Sequence, residues 1–269
     1  MFCEIVDFLR PVGFLVKADR ISLRNLVLEP IEYKLMAEVE ASLWWYRALH
    51  EWVVDIVHSL KTEEDFLVLD VGCGTGGLLN KLSTWDSPTT LIGMDESIHA
   101  LNYAAGKTEN SLVRSTINGM PFKSCVFNIV LCIDVLYHKN VEESCALNES
   151  HRCLRSGGYL VVHAPAYNWL YSQHDFQVHT KRRYTTSTLS QALVNAGFVD
   201  VRAGYRLGLL FPAMVLSRKK PFSRRSDVHG IPTLIDQILY RVARLERAIA
   251  NAGIQLPFGG SVWAIARKQ

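Results

Sequence analysis

The sequence predicts an α/β fold built on a doubly wound, mostly parallel sheet. Three observations carry that prediction. From residue 66 onward, short apolar runs alternate with helix-like segments, the pattern of strands joined by crossover helices. The first two runs each stop at an aspartate, Asp70 and Asp95. The first is followed at once by a loop with glycine at 72, 74, 76 and 77.

The elements follow in order. Residues 1–62 form an N-terminal helical cap, in which Ala37 to Leu60 carries apolar residues at helical spacing around the cluster Trp44-Trp45-Tyr46-Arg47. Residues 63–269 form the sheet domain. Phe66 to Leu69 is its first strand, Leu78 to Leu82 a helix, Thr90 to Met94 the second strand and Ile98 to Ala105 the next helix. Phe127 to Ile133 is a third apolar run and Val141 to Leu154 a third helix. Ser156-Gly157-Gly158 then turns the chain into a strand from Tyr159 to His163. A helix over Leu189 to Ala196 leads to a strand over Val199 to Tyr205. An insertion at about 207–258 carries an amphipathic helix, Pro232 to Asn251, before a closing strand, Ser261 to Arg267.

Composition narrows the class. Of 269 residues, 49% are apolar and 20% charged, the range of a soluble globular protein. A net charge of +3 is too small to argue for nucleic acid. The six cysteines form no Cys-x-x-Cys pair, which argues against zinc and for free thiols in a reducing cytoplasm. Met1 to Val16 is apolar but interrupted by Glu4, Asp7 and Arg10, with no basic segment before it, so it does not read as a signal peptide. No uncharged apolar stretch reaches the ~18 residues of a membrane span.

Ligands of doubly wound sheets bind beyond the carboxyl ends of the strands, which places the glycine loop at a site. Glycine lets the backbone turn sharply and approach a ligand closely, and the following helix presents free N–H groups. The loop alone leaves two cofactors open, because Gly72, Gly74 and Gly77 also spell the dinucleotide fingerprint. Asp70 tilts the choice. A carboxylate there faces a pyrophosphate unfavourably and suits a cationic group such as the ammonium of S-adenosylmethionine (SAM). An acid at 95 suits the ribose of either cofactor.

Val68-Leu69-Asp70-Val71-Gly72-Cys73-Gly74-Thr75-Gly76 resembles the first motif of class I SAM-dependent methyltransferases, of the kind called methyltransferase type 11. Four more segments resemble that family's motifs in order: Gly93-Met94-Asp95, Gly119-Met120-Pro121-Phe122, Phe127 to His138, and Leu154-Arg155-Ser156-Gly157-Gly158. The resemblance implies a Rossmann-like sheet of seven strands with an antiparallel closing strand. It also implies a SAM site made by Asp70, Gly72, Cys73, Gly74, Gly76, Asp95, Glu96, Thr116, Ile117 and Ile133. Thr116 stands where the family usually has an adenine-binding aspartate, Asn128 replaces an aspartate, and Tyr137 replaces the glutamate before His138. The cluster Trp44 to Arg47, together with His174-Asp175, His179 and Arg182-Arg183-Tyr184, resembles a bacterial-type subfamily, a likeness covering roughly residues 35–269 that fixes no single substrate.

SAM supplies the reactive sulfonium, so the protein must align a nucleophile and exclude water. An oxygen nucleophile also needs a base. His138 lies just past the fourth-strand motif; His174 and His179 lie in the aromatic-rich segment Pro165 to Tyr184. These three are the candidate catalytic histidines, while His50, His58 and His99 read as surface or packing residues. Trp45, Tyr46, Arg47, Asp175, Arg182, Arg183 and Tyr184 are the candidate substrate-binding residues. The two arginines suit an anionic group. A hydrogen-bonded structural loop is the competing reading of the segment, and a metal site there has no recognised ligand signature.

Apolar Tyr205 to Ser217, followed by Arg218, Lys219, Lys220, Arg224 and Arg225, suits an anionic membrane surface or a lipid-like substrate. A packed insertion with a solvated basic turn is the alternative. The function expected is methyl transfer to an oxygen or nitrogen of a small, amphipathic or anionic molecule. The alternatives are an NAD(P)-dependent oxidoreductase and a non-catalytic SAM-binding partner protein.

Overall fold

The computed structural model describes residues 30–61, 66–84, 89–172, 175–176, 178–218 and 232–269. Met1 to Val16, His174 and the basic group from Lys219 to Arg225 lie outside the described residues, as does the side chain of Arg218.

Seven strands form one sheet: β1 (Phe66–Val71), β2 (Thr89–Asp95), β3 (Ser111–Arg114), β4 (Phe127–Ile133), β5 (Leu154–Pro165), β6 (Phe198–Arg206) and β7 (Ser261–Lys268), in the order β3-β2-β1-β4-β5-β7-β6. β1 pairs in parallel with β2 and β4, β2 with β3, and β4 with β5, whereas β7 runs antiparallel to both neighbours. The direction of winding reverses between β1 and β4, which makes the crevice at their carboxyl ends the switch point where such sheets bind ligands.

Period-two geometry sends successive strand residues to opposite faces. Leu69 and Val71 of β1, Val130 and Cys132 of β4, and Leu160 and Val162 of β5 enter one core, completed by Ala146 and Leu147 of α5 (Glu143–Cys153) and Leu189 and Leu193 of α6 (Thr186–Asn195). Val68, Ile129, Leu131 and Val161 enter the other. That face is covered by α2 (Trp44–Leu60), α3 (Gly77–Ser83) and α4 (Ile98–Ala105). Both faces are buried, so β1 and β4 read as unbroken apolar runs.

The cap departs from one continuous helix. α1 (Pro30–Val39) ends before Glu40, and α2 begins at Trp44 after Leu43 takes an extended conformation. The cause is tertiary. The amide of Trp44 donates to Asp236 Oδ1 at 2.8 Å, a cap supplied by α8 (Thr233–Asn251), 192 residues away. α7 (Phe211–Arg218) and α8 stand over the carboxyl ends of the strands. β3, unforeseen in the sequence, is a four-residue edge strand with only Leu112 and Val113 as apolar content.

Candidate functional site

A cavity of about 1010 Å³ opens at the switch point, bounded by the glycine loop, the ends of β2, β4 and β5, the cap, α7 and α8. The loop is held by backbone bonds: the amides of Gly72 and Cys73 both donate to Met94 O, at 2.6 and 3.0 Å. Gly72 has φ +72°, and a Cβ there would lie 2.3 Å from Val135 Cγ2. Gly74, at φ +53°, is different: a Cβ would meet only Met36 Sδ at 3.4 Å, so its bare backbone faces the cavity.

Acids surround this loop. Asp70 is buried, and burial followed by the charge of Asp95 pushes its carboxyl up to about 7. Asp95 accepts from the amides of Gly74 (3.0 Å) and Ser97 (2.8 Å), and burial raises its carboxyl too. Glu96 is raised by burial and then by Asp95, and accepts from Asn140. Glu40, also buried, accepts from the amide of Gly77 at 3.2 Å, while its other oxygen pairs with Lys107. The N-terminus of α3, where a dinucleotide fold seats its pyrophosphate, is therefore filled by the chain's own carboxylate.

Cys73, Thr116, Ile117 and Ile133 also line the cavity. Burial raises the Cys73 thiol, so it stays protonated. The donor set fits SAM: an unpaired buried carboxylate at Asp70 for an ammonium, acids beyond β2 for ribose hydroxyls, and bare backbone at Gly74 for close approach.

The candidate catalytic and substrate residues divide. His138 lines the cavity, its Nδ1 lies 2.9 Å from Val178 O, and burial lowers its pKa, so the ring is neutral with the proton on Nδ1. His179 lines the cavity at φ +55°. Trp45 and Tyr46 face the cavity as well, and burial, reinforced by Glu40 and Asp134, keeps the Tyr46 phenol protonated.

Arg47 instead stacks on the ring of Tyr240, 3.7 Å from its centroid, and is not part of the cavity wall. Arg183 and Asp175 are almost fully buried and spent on each other, with Nε–Oδ1 at 2.7 Å and Nη2–Oδ2 at 3.0 Å. Burial alone would raise the Asp175 carboxyl; the Arg183 guanidinium overcomes that and holds it below its ordinary value. Arg182 pairs with Glu143 at 3.2 Å, and Tyr184 donates to the same carboxylate. The arginine clamp expected for an anionic group is thus closed by internal pairs, Arg183 on Asp175 and Arg182 on Glu143.

Three site residues escape a reading of the sequence. His50, expected on the surface or in packing, lines the cavity, and burial, then Lys81, lowers its pKa to about 4. Asp134, at φ +57°, ends β4 and points its carboxylate at His163, which is wholly buried in β5, with Oδ1–Nδ1 at 2.9 Å. Arg206 of β6 lies behind His163. No local pattern marks a histidine inside an apolar strand as part of a site.

An α/β fold wound about this crevice, with a glycine loop ringed by carboxylates, defines a protein that binds a cationic adenosyl cofactor. The comparisons agree: residues 69–162 match the family model described as a methyltransferase domain. An uncharacterized protein of Methanocaldococcus jannaschii is 36% identical over 107 residues, 40% of this chain and 44% of that one. A putative methyltransferase of Encephalitozoon cuniculi is 31% identical over 99 residues, 36% of this chain and 44% of that one. The chain thus spans under half the length of these curated relatives. Among solved structures, a SAM-dependent methyltransferase of Thermotoga maritima, described as a possible histamine N-methyltransferase, superposes with a TM-score of 0.57 at 20% identity, over 89% of this chain and 95% of that one.

Proposed function

We propose that this chain is a SAM-dependent methyltransferase acting on an oxygen or nitrogen of a small amphipathic molecule. The observation that carries the reading is the ring of carboxylates at the glycine loop. Asp70 and Asp95 face the cofactor end, and Glu40 occupies the helix terminus that a pyrophosphate would need. A dinucleotide there would meet three carboxylates at close range, which is repulsive in a poorly solvated site. SAM, with its ammonium and sulfonium, gains from the same field.

Bound SAM supplies an electrophilic methyl group, and the protein supplies the rest. Asp70 holds the ammonium, Asp95 and Glu96 the ribose hydroxyls, and Thr116 with the amide of Ile117 the adenine edge. Trp44, Trp45 and Tyr46 close the cavity from the cap and exclude water. His179, whose ring has no hydrogen-bond partner among the described residues, is the proton acceptor in this reading, and His138 fixes the wall beside it through Val178 O. Five described cysteines are free thiols, which supports a reducing compartment such as the cytoplasm. No helix of the described residues is long and apolar enough to cross a membrane.

Titration calorimetry with SAM and with NAD tests the cofactor, and NAD binding in preference to SAM overturns the proposal. Incubation of the protein and cell extract with methyl-labelled SAM tests catalysis. A labelled product that the His179→Ala variant no longer makes is expected; SAM binding without any labelled product would favour a non-catalytic SAM-binding role.

A further inference from the structure

The cavity is larger than a cofactor site alone, and its remaining wall has a definite chemistry. Seven carboxylates line it, Glu32, Glu40, Asp70, Asp95, Glu96, Asp134 and Asp175, and Arg183 is the one lysine or arginine among the described lining residues. Asp175 is neutralised by Arg183 and Glu40 by Lys107. Asp70, Asp95 and Glu96 belong to the cofactor end. Glu32, in the first turn of α1, and Asp134 are left over; Asp134 follows β4, the strand beside β1, on the opposite side of the glycine loop from β2.

Asp134 is held with unusual care. Its backbone lies in the left-handed region, at φ +57°, a strained conformation for a non-glycine residue that clusters at functional sites. Its amide donates to His163 O at 3.0 Å, and its Oδ1 meets His163 Nδ1 at 2.9 Å. His163 is fully buried, with the rings of Trp45 and Trp52 each 5.9 Å from its own.

Behind it, Arg206 Nη1 approaches Nε2 at 3.5 Å, while Nη2 donates to Ala48 O at 3.1 Å. An arginine can only donate. Nε2 therefore accepts, Nδ1 carries the proton, and the chain of donors runs from Arg206 through His163 to Asp134. That arrangement fixes the orientation of the Asp134 carboxylate and leaves Oδ2 without a partner among the described residues. The buried hydroxyls of Thr180 and Ser261, both on the same cavity wall, also lack hydrogen-bond partners.

The other end of this half of the cavity is apolar. Leu207, Leu210, Met214, Ile235 and Leu239 line it between α7 and α8. Trp45 bridges the two ends, packing on His163 and on the cluster around Leu210. The same two helices expose Leu216, Leu234 and Ile238, at 65%, 69% and 50%. Apolar surface of that kind on a globular domain marks a binding surface.

We infer that the methyl acceptor is an amphipathic amine, bound as its ammonium by Asp134 with its apolar tail lying between α7 and α8, and with His163 and Arg206 as positioning residues for the carboxylate; loss of one ammonium proton to His179 frees the nitrogen lone pair, which takes the methyl group as the carbon–sulfur bond breaks and S-adenosylhomocysteine leaves. This rests on the methyltransferase reading above and adds the substrate class. A carboxylate- or phosphate-headed molecule meets a surplus of negative charge with no free guanidinium among the described lining residues to offset it. A purely apolar molecule covers Oδ2 of Asp134 without offering it a hydrogen-bond donor, a costly burial of a polar group.

The test uses the whole protein loaded with S-adenosylhomocysteine and four probes: octylamine, octanol, octanoate and butylamine. Binding is read by calorimetry and by quenching of tryptophan fluorescence. Octylamine should bind at least tenfold more tightly than octanol and butylamine, and octanoate should not saturate. Asp134→Asn should cost octylamine tenfold or more while leaving S-adenosylhomocysteine affinity within twofold. His163→Leu should shrink the preference for octylamine over octanol, and His163→Asn, which keeps a donor near the position of Nδ1, should restore most of it.

Octanoate binding as tightly as octylamine, or an unchanged octylamine affinity in Asp134→Asn, overturns the inference. If cofactor binding is absent in the unmodified protein, the methyltransferase reading itself fails. Retained cofactor affinity with no preference for the amine sinks only the substrate class.

Discussion

Replacing Asp70 by asparagine should make the domain more stable and the cofactor site worse, and both effects follow from one carboxyl group. Buried beside Asp95, Asp70 titrates near 7 in the fold rather than near 3.8. Between those values the native state holds a proton that the unfolded chain has lost. Stability therefore falls as pH rises from about 4 to about 7 and is flat above that range. At about 1.4 kcal/mol per pH unit, the buried charge costs roughly 4 kcal/mol at pH 8.

An asparagine side chain cannot ionise, so Asp70→Asn removes that cost. With about 2–4 °C per kcal/mol for a chain of this size, the Tm at pH 8 should rise by about 8–16 °C. The gain should vanish at pH 4, where the native Asp70 is already neutral. SAM affinity should move the other way. A hydrogen bond to a charged group contributes about 1.5–3 kcal/mol, so Kd should rise roughly 10- to 150-fold.

In the unmodified protein, SAM affinity should also fall as pH drops below 7, because the carboxylate that receives the ammonium becomes protonated. In the variant that dependence should be shallower, and what persists belongs to Asp95, itself raised by burial. Thermal unfolding at pH 4 and 8, with calorimetric titration of SAM between pH 5.5 and 8.5, measures all of this. An Asp70→Asn protein that binds SAM as tightly as the original, or that gains no stability at pH 8, would refute the assignment of Asp70.

Other substitutions probe the frame around the site. Arg183→Leu leaves the Asp175 carboxylate buried and uncompensated, and should cost about 3–5 kcal/mol in urea unfolding; the double change Arg183→Leu with Asp175→Leu should recover part of it. The Asp175 carboxyl sits below its ordinary value in the fold, so the pair's contribution is present at neutral pH and is lost as pH falls through the lowered native value. The acid limb of the stability curve should accordingly be flatter in Asp175→Asn. Glu40→Ala removes the acceptor for the Gly77 amide and the partner of Lys107, and should destabilise the domain by about 1–2 kcal/mol, the range of a lost helix cap, read as a lower urea midpoint. Gly72→Ala would put a Cβ 2.3 Å from Val135 Cγ2 at a positive φ, and SAM titration should show at least a tenfold weaker Kd.

How legible each part is depends on whether its cause is local. β1 and its loop announce themselves because glycine spacing and terminal acids are contiguous in the chain. The seven strands and the antiparallel closing strand follow from the family likeness, and the structure shows both and adds the order β3-β2-β1-β4-β5-β7-β6. β3 is invisible: Ser111-Leu112-Val113-Arg114 pairs on one side only and offers two apolar residues. Glu40 is invisible as a cap, since nothing near residue 40 records that Gly77, 37 positions later, needs an acceptor. The segment after β5 misleads in an instructive way. Its aspartate and arginines are the residue types that grip an anionic ligand, and the fold closes them on each other and on Glu143 instead.

That closure bears on the chemistry of the whole cavity. A sequence shows how many charges a segment carries, but burial and pairing decide which remain to meet a ligand. The Arg183 and Arg182 guanidiniums are committed within the wall, and Lys107 is committed to Glu40. Arg206 sits behind His163 rather than in front of it, with burial lowering its pKa to about 10, still protonated at neutral pH. The carboxylates, by contrast, reach the cavity with lone pairs to spare. A site whose cations are internally paired and outnumbered by its acids presents negative charge to whatever enters, at the glycine loop and again at Asp134. The first matches a cofactor that carries its reactive group as a sulfonium. The second, set against the apolar wall between α7 and α8, selects for a positive head on a greasy body, and it does so through His163 and Arg206, two residues buried in or behind apolar strands that carry no motif at all.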